Sequence, residues 1–322
     1  MIFTKILGTG SYVPEKILTN EDLRQYVDTT DEWITSRTGI KERHIVTNES
    51  TLDLAYNASL RAIEASGVDI SNIDLLIVAT VTSDYAFPGV ANLLQAKLGL
   101  EHIMAFDINA ACSGFIYTMQ IADKMIKSGA YKTALIVGAE TLSRLTDWRD
   151  RNTCVLFGDG AGAMVIAKSD KNKIKDIITA SSGDTEMLLY CKNPDLKDPE
   201  VNAISVQDHI HMNGTEVFKF ASRAMPKTVK QLLKRNNLTI EDVNYIIAHQ
   251  ANLRIIDKSA RELEMDMTKM YINIDRFGNT SAASVPIAID EAIKNGILKR
   301  DDLFVTVAFG GGLTWAGALI EY

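Results

Sequence analysis

Two segments of this 322-residue chain echo each other, and that internal repeat limits the possible folds more than any other feature. Residues 51–79, TLDLAYNASLRAIEASGVDISNIDLLIVA, read as a helix, a short linker and an apolar strand. Residues 216–249 repeat that order and close on NNLTIEDVNYIIAH, which aligns Ile73 with Val243 and Ala79 with His249 at an offset of 170. A second echo pairs IADKMIKSG, ending at Gly129, with AIDEAIKNG, ending at Gly296; carried back along the helices, its offset of 167 sets Asn279 opposite Cys112. A duplicated α/β unit therefore brings Cys112, His249 and Asn279 to strand ends or helix starts, where ligands gather in α/β proteins. The chain reads as an enzyme made of two fused copies.

Short β-branched runs alternate with helical patterns throughout: KILGTG, DLLIVAT, MAFDINA, TALIVGA and GAMVIAK, then YIIAH, YINID, LFVTVAF and AGALIEY. Continuous apolar strands between helices predict a mainly parallel sheet covered on both faces. The halves meet near Ser169 to Lys173, giving an N-terminal half at 1–170 and a C-terminal half at 171–322 that share one core. Residues 180–215, with Pro194 and Pro199 and little periodicity, predict a long loop over an active site or an interface.

Cys112 follows the strand MAFDIN in AACSGF and opens a helix. Free N–H groups and the positive end of the helix dipole favour a thiolate there. His249 ends the strand NYIIAH, a position from which an imidazole can donate a hydrogen bond or move a proton. Asn279, in FGNTS, enters another helix, and Phe309-Gly310-Gly311-Gly312 follows the strand LFVTVA. A glycine run lets the backbone approach a ligand and offer an N–H, as an oxyanion hole requires. Each feature alone also fits a plainer role: a buried inert cysteine, a strand-end histidine bonded to backbone, an N-cap, a tight turn. Gly158-Asp159-Gly160-Ala161-Gly162 leads into a strand rather than a helix and is not a phosphate loop. His44, His102, His209 and His211 complete no metal site.

With 34 Lys and Arg against 41 Asp and Glu, the net charge of -7 opposes nucleic-acid binding. Apolar runs such as LLIVATV fall far short of a membrane span, and the N-terminus lacks a signal-peptide pattern. The three cysteines, Cys112, Cys154 and Cys191, lack metal-ligand spacing and suggest a reducing compartment. The expectation is a soluble cytoplasmic protein.

The strings DTTDEWITSRTGI, AACSGF, FGDGAGA, HQANLRI, GNTSAASVP and AFGGGLTW occur in order over almost the whole chain. Together they closely resemble β-ketoacyl-acyl-carrier-protein synthase III, the initiating condensing enzyme of bacterial fatty acid synthesis. That resemblance implies a thiolase-like αβαβα sandwich of two duplicated halves with mixed, mainly parallel sheets. It implies Cys112 as nucleophile, His249 and Asn279 as its partners, and the N–H groups of Cys112 and Gly311 as the oxyanion hole. Trp33, Arg37, Thr38, Arg151, Phe218, Ala251, Asn252 and Arg254 would bind CoA, and Phe87, Leu142 and Phe157 would shape the acyl pocket. Arg254, Lys258 and Arg261 would meet the acidic carrier protein, although Asp257 and Glu262 dilute that patch, and a solvated helix face remains open. No cofactor or metal is implied, since the CoA thioester is a substrate. The implied partners are acyl-CoA, malonyl-acyl-carrier protein and a second copy of the chain.

Related enzymes fit less well. Elongating condensing enzymes carry histidine where this chain has Asn279, thiolases carry cysteine at the place of Ala308, and hydroxymethylglutaryl-CoA synthases need a glutamate within Val81 to Asp84. Plant-type polyketide synthases share the Cys, His and Asn types but lack HQANLRI. A synthase III relative of a quinolone, polyketide or biotin-precursor pathway stands as the alternative, with a non-catalytic CoA- or carrier-protein-binding paralogue behind it.

Overall fold

The structure is a computed structural model that describes residues 1–193 and 208–322. Its principal elements are β1 (Phe3–Tyr12), α1 (Asp31–Thr38), α2 (Thr51–Ser66), β2 (Leu75–Ala79), α3 (Val90–Lys97), β3 (Met104–Ile108), α4 (Gly114–Lys127) and β4 (Thr133–Thr141). They continue with β5 (Asp159–Ser169), β6 (Ile174–Ser181), α5 (Gly214–Arg235), β7 (Tyr245–Ala248), α6 (Leu253–Glu262), α7 (Ser284–Lys294), β8 (Leu303–Gly310) and β9 (Thr314–Glu321). Local chemistry sets the boundaries. In α2, for example, Ser50 and Asp53 form a reciprocal capping box, and Gly67 closes the helix at φ 64°.

Of the two larger sheets, one has the order β1-β5-β4-β2-β3 and the other the order β7-β8-β9-β6. β2 pairs parallel with β3 and β4, and β7 pairs parallel with β8; the outer pairings β1–β5, β4–β5, β8–β9 and β6–β9 are antiparallel. The sheets are thus mixed, with parallel pairing confined to the strands joined by crossover helices rather than dominant. Every residue of β2 and β4 is buried, as their unbroken apolar runs require.

Helices α4 and α7 lie between the sheets, where Phe115, Met119 and Ile126 meet Val285 and Ile289 in one core with Ile77, Ile136, Ile247 and Phe304. α2 and α3 cover the outer face of the first sheet, and α5 and α6 the outer face of the second. The result is five layers, α, β, α, β, α, each sheet buried on both faces. The segment bearing α1 is anchored by the fully buried Arg43, whose guanidinium donates to Asn20 Oδ1 and to the carbonyls of Leu18 and Val155.

The duplication is visible residue by residue. Leu75 and Tyr245, Gly114 and Ser284, and Thr133 and Leu303 open matching elements and stand 170 apart. An isolated parallel bridge, Ile246–Met270, stands where the second copy would place its equivalent of β3. One expectation changes: α7 has 11 residues and α4 has 14, so the offset is 170 at their starts and falls to 167 only at their ends. The residue opposite Cys112 is therefore Ala282, and the residue opposite Asn279 is Asn109.

Candidate active site

The chain leaves β3, makes one tight turn at Ala111–Ser113 and enters α4. Asn109 Oδ1 accepts the Ala111 N–H at 3.2 Å and supports Ala111 at φ 46°, a left-handed conformation unfavourable for a residue with a Cβ. The turn presents Cys112 buried at the floor of a cavity of about 1150 Å³. Gly310, at the end of β8, presses against it: a Cβ there would stand 2.7 Å from the Cys112 nitrogen, so only glycine fits. Burial pushes the Cys112 thiol up to about 12, with the Ser281 hydrogen bond pulling the other way and the Glu140 charge adding to the rise. Desolvation therefore outweighs the helix terminus, and the resting sulfur is a thiol, not the thiolate expected from sequence.

The second copy supplies the same turn at Ser281–Ala283. Asn279 Oδ1 accepts the Ser281 N–H at 2.9 Å and again supports a residue at φ 46°. With its oxygen so committed, the Asn279 side chain has its NH2 left to donate within the cavity it lines. His249 follows β7, its own N–H bonded to the Val307 carbonyl at 2.8 Å. Its Nδ1 lies 2.5 Å from Ser284 Oγ, and its ring meets Phe309 edge-on with centroids 5.3 Å apart. The Gln250 N–H donates to the same Oγ at 3.4 Å, and with the Ser284 hydroxyl donating to Nδ1 the imidazole carries its proton on Nε2. Burial lowers the His249 pKa to about 3, so the ring is neutral at physiological pH.

Cys112, His249 and Asn279 all line this cavity, and its walls include Trp33, Arg37, Thr38, Arg151, Phe218, Ala251, Asn252 and Arg254. The Arg37 and Arg151 guanidinium groups stand 4.9 Å and 4.7 Å from the Trp33 ring centroid. Arg254 and Lys258 approach the Phe218 ring at 5.6 Å and 5.5 Å. Asn252 caps α6 through the Arg254 N–H and donates its side-chain amide to the Arg37 carbonyl, joining α1 to α6 across the mouth. Met187, Leu189 and His211 also line the cavity, so parts of the 180–215 segment reach it; Pro194 and Pro199 lie outside the described residues.

Some expected placements do not hold within one chain. Phe87 is 87% exposed and stands outside the cavity, because residues 84–88 form a surface loop. Leu142 is buried beside Phe157 in a cluster behind the wall, and only Phe157 lines the cavity. Gly310 lines it as well, and the next residue, Gly311, packs beside Leu189, where a Cβ would stand 3.1 Å from the Leu189 carbonyl oxygen. In the α6 patch Arg261 is paired with Asp257, leaving Arg254 and Lys258 at the mouth. Three polar residues escaped the sequence reading: Ser284, Ser281 and Glu140. The one available signal was a carboxylate inside the otherwise apolar strand TALIVGAET. Among the described residues no group of three His, Cys, Asp or Glu could hold a metal ion, and no helix is long and apolar enough to cross a membrane.

Known proteins resemble this chain over nearly its whole length. Family models described as 3-oxoacyl-[acyl-carrier-protein (ACP)] synthase III and its C-terminal part match residues 106–184 and 233–322. The chain is 50% identical over 319 residues to the β-ketoacyl-[acyl-carrier-protein] synthase III of Clostridium acetobutylicum, covering 99% of this chain and 98% of the relative. The crystal structure of 3-oxoacyl-[acyl-carrier-protein] synthase III from Aquifex aeolicus superposes with a TM-score of 0.93 at 46% identity, covering 99% of this chain and all of that one. The priming β-ketosynthase of the R1128 polyketide pathway also superposes with a TM-score of 0.93, at 33% identity and with 99% and 96% covered. On these grounds the chain belongs to the β-ketoacyl-acyl-carrier-protein synthase III family of thiolase-like condensing enzymes.

Proposed function

We propose that this enzyme condenses a short acyl-CoA, acetyl-CoA first, with malonyl-acyl-carrier protein to give 3-oxoacyl-acyl-carrier protein, CoA and carbon dioxide, the first condensation of fatty acid synthesis. The carrying observation is the convergence of Cys112, His249 and Asn279, drawn from both halves, on a cavity that also contains Trp33, Arg37 and Arg151. Flat aromatic and guanidinium faces suit an adenine ring, and the arginines suit its phosphates.

Cys112 attacks the thioester, CoA leaves, and the oxyanion of the tetrahedral intermediate takes N–H groups from Cys112 and Gly311. Malonyl-acyl-carrier protein then loses carbon dioxide. The developing enolate oxygen takes hydrogen bonds from His249 Nε2 and the Asn279 amide, and the carbanion attacks the acyl group on Cys112. A histidine held neutral with its proton on Nε2 is suited to donate to that oxygen. Phe157 with Leu142 behind it supports a shallow acyl end. Arg254 and Lys258 at the mouth would receive the acidic carrier protein.

A second copy of the chain would cover the partly exposed edge strand β3 beside Met104, Tyr85 and Phe87. The reaction would proceed in the cytoplasm without cofactor or metal. Intact-mass analysis after mixing with acetyl-CoA tests the assignment: wild type gains one acetyl group and Cys112→Ala gains none. Acetylation of the variant, or none of the wild type, would remove Cys112 from the nucleophile's role.

A further inference from the structure

The two copies differ in how the chain reaches their asparagines. In the first copy β3 runs beside β2 for five residues, and Leu76 pairs with Ala105. In the second copy the equivalent pairing is the bridge Ile246–Met270, with the Tyr271 N–H bonded to the Ile246 carbonyl at 3.0 Å. From Ala105 the chain reaches Asn109 in four residues; from Met270 it takes nine to reach Asn279, by way of the helical turn Ile274–Phe277. Asn279 thus ends a longer, irregular segment. Its own backbone is bonded to the Leu156 carbonyl and the Gly158 N–H, beside Phe157 and not beside β7.

Gln250 bridges the gap. It is buried just past the end of β7 and does not line the cavity. Its Nε2 donates to the Ala248 carbonyl at 2.8 Å and to the Tyr271 carbonyl at 3.1 Å. Its Oε1 accepts the Asn273 N–H at 3.1 Å and the Ile274 N–H at 3.2 Å. A primary amide has two N–H donors and two acceptor lone pairs, so all four are used. Its main-chain N–H donates to Ser284 Oγ, the partner of the His249 ring. One side chain therefore ties the residue before His249 to the segment that leads to Asn279.

We infer that Gln250 is a positioning residue whose amide sets the separation between the two enolate donors, His249 and Asn279, without touching substrate. The inference rests on the decarboxylation role proposed for those two residues and deepens it. Two donors aimed at one oxygen tolerate little displacement, and a misplacement of about 1 Å can cost about 10²-fold in rate. Acyl transfer, which in the proposed mechanism uses Cys112 and the Cys112 and Gly311 N–H groups, does not depend on that separation. A glutamate at position 250 has the same shape with different chemistry. Ionised, it turns an acceptor oxygen toward the Ala248 and Tyr271 carbonyls; protonated, it can donate to one of them. Burial raises such a carboxyl above the ordinary carboxylate range. The ionisable side chains on the joined segments are His249, which burial keeps neutral, Tyr271, and the pair Asp275–Arg276, with Glu291 bonded to both Arg276 and Asn273.

Single-turnover release of labelled carbon dioxide from malonyl-acyl-carrier protein by preformed acetyl-enzyme, run beside rapid-quench acetylation at saturating acetyl-CoA, tests the assignment. Gln250→Ala should slow carbon dioxide release about 10- to 100-fold and leave acetylation close to the wild-type rate. Gln250→Glu should carry a defect that depends on pH. Its carbon dioxide release, taken as a ratio to wild type at each pH, should be highest where the new carboxyl is protonated and fall as pH rises and that group ionises, with no matching fall in acetylation. Carbon dioxide release at the wild-type rate in Gln250→Ala, or equal slowing of both half-reactions, overturns the inference. So does a Gln250→Glu ratio that is flat with pH. The glutamate variant keeps the volume of the side chain, so it decides the matter even if the alanine variant fails to fold. Failure of wild-type acetyl-enzyme to release carbon dioxide from malonyl-acyl-carrier protein overturns the underlying reading instead.

Discussion

Replacing Ser284 by alanine should damage decarboxylation and spare acyl transfer. Ser284 Oγ is the recorded side-chain partner of His249 Nδ1, at 2.5 Å, and both residues are buried. Its removal costs one neutral hydrogen bond, about 1 kcal/mol, and leaves a buried ring nitrogen unpaired, a penalty of about 1–3 kcal/mol. The variant also loses the group that fixes the Nε2–H tautomer, so the part of this cost expressed at the enolate is about 1–3 kcal/mol, or roughly 5- to 150-fold in rate. In the proposed mechanism acetylation uses the Cys112 sulfur and the Cys112 and Gly311 N–H groups and does not involve the Ser284 hydroxyl, which is bonded to His249. Rapid quench of acetyl-enzyme formation, run beside release of labelled carbon dioxide from malonyl-acyl-carrier protein, separates the two steps. Ser284→Cys, a poor donor in the same place, should fall between alanine and wild type. Wild-type carbon dioxide release by Ser284→Ala, or equal loss in both steps, would refute the tautomer argument.

Asn279→Ala removes the second enolate donor and should slow carbon dioxide release by roughly 10²–10³, with Cys112 still acetylated in the same quench assay. Arg151→Ala opens one face of Trp33 and should raise the KM for acetyl-CoA by roughly 5- to 30-fold, the equivalent of about 1–2 kcal/mol, with little change in kcat by steady-state kinetics. Glu140→Gln should change how stability follows pH in denaturant titrations. The Glu140 carboxyl titrates at about 7 in the fold against an ordinary 4.5, so its favourable contribution is complete below 4.5 and is lost as pH rises through 7. At about 1.4 kcal/mol per tenfold difference, the wild type should lose roughly 3 kcal/mol relative to Glu140→Gln between pH 4.5 and 8.5.

The layers and the location of the site were legible because both depend on signals carried along the chain. Apolar strands of the β2 and β4 type announce a sheet covered on both faces, and the repeat places Cys112 and His249 at equivalent ends of the two copies. What remained hidden depends on contacts between distant segments. Glu140 and Ser281 belong to different halves, and no local pattern announces that Ser281 reaches the carboxylate. Phe87 and Leu142 are both apolar and look alike in sequence; only the fold shows one outside on a surface loop and the other one side chain too deep. Desolvation likewise has no local signature, which is why Cys112 reads as a thiolate from its helix start and is a thiol in its buried setting. The shortening of α7 by three residues displaced the Cys112 alignment for a similar reason: the echo was strongest at the helix ends, after the change in length had already occurred.

The corrected alignment explains how one duplicated unit came to hold two different chemistries. Each copy has an asparagine whose side chain supports a left-handed residue, Asn109 under Ala111 and Asn279 under Ser281. The two turns pack on each other, so a side chain in one reaches a partner in the other. Where the first copy has Ala111 and Cys112, the second has Ser281 and Ala282, and the thiol of one turn meets the hydroxyl of the other. The next pair follows the same logic. Ala79 aligns with His249, and Gly114 aligns with Ser284. In the first copy a Cβ at Gly114 would stand 2.9 Å from the Ala79 Cβ, so the position is closed to any side chain. In the second copy the same place admits a serine, whose hydroxyl is bonded to the imidazole. A histidine at position 79 would find no hydroxyl to fix its tautomer, and a serine at 114 would collide with Ala79. The asymmetry by which, in the proposed mechanism, one half presents a nucleophile and the other an enolate donor is therefore set by coupled pairs of positions, not by single substitutions.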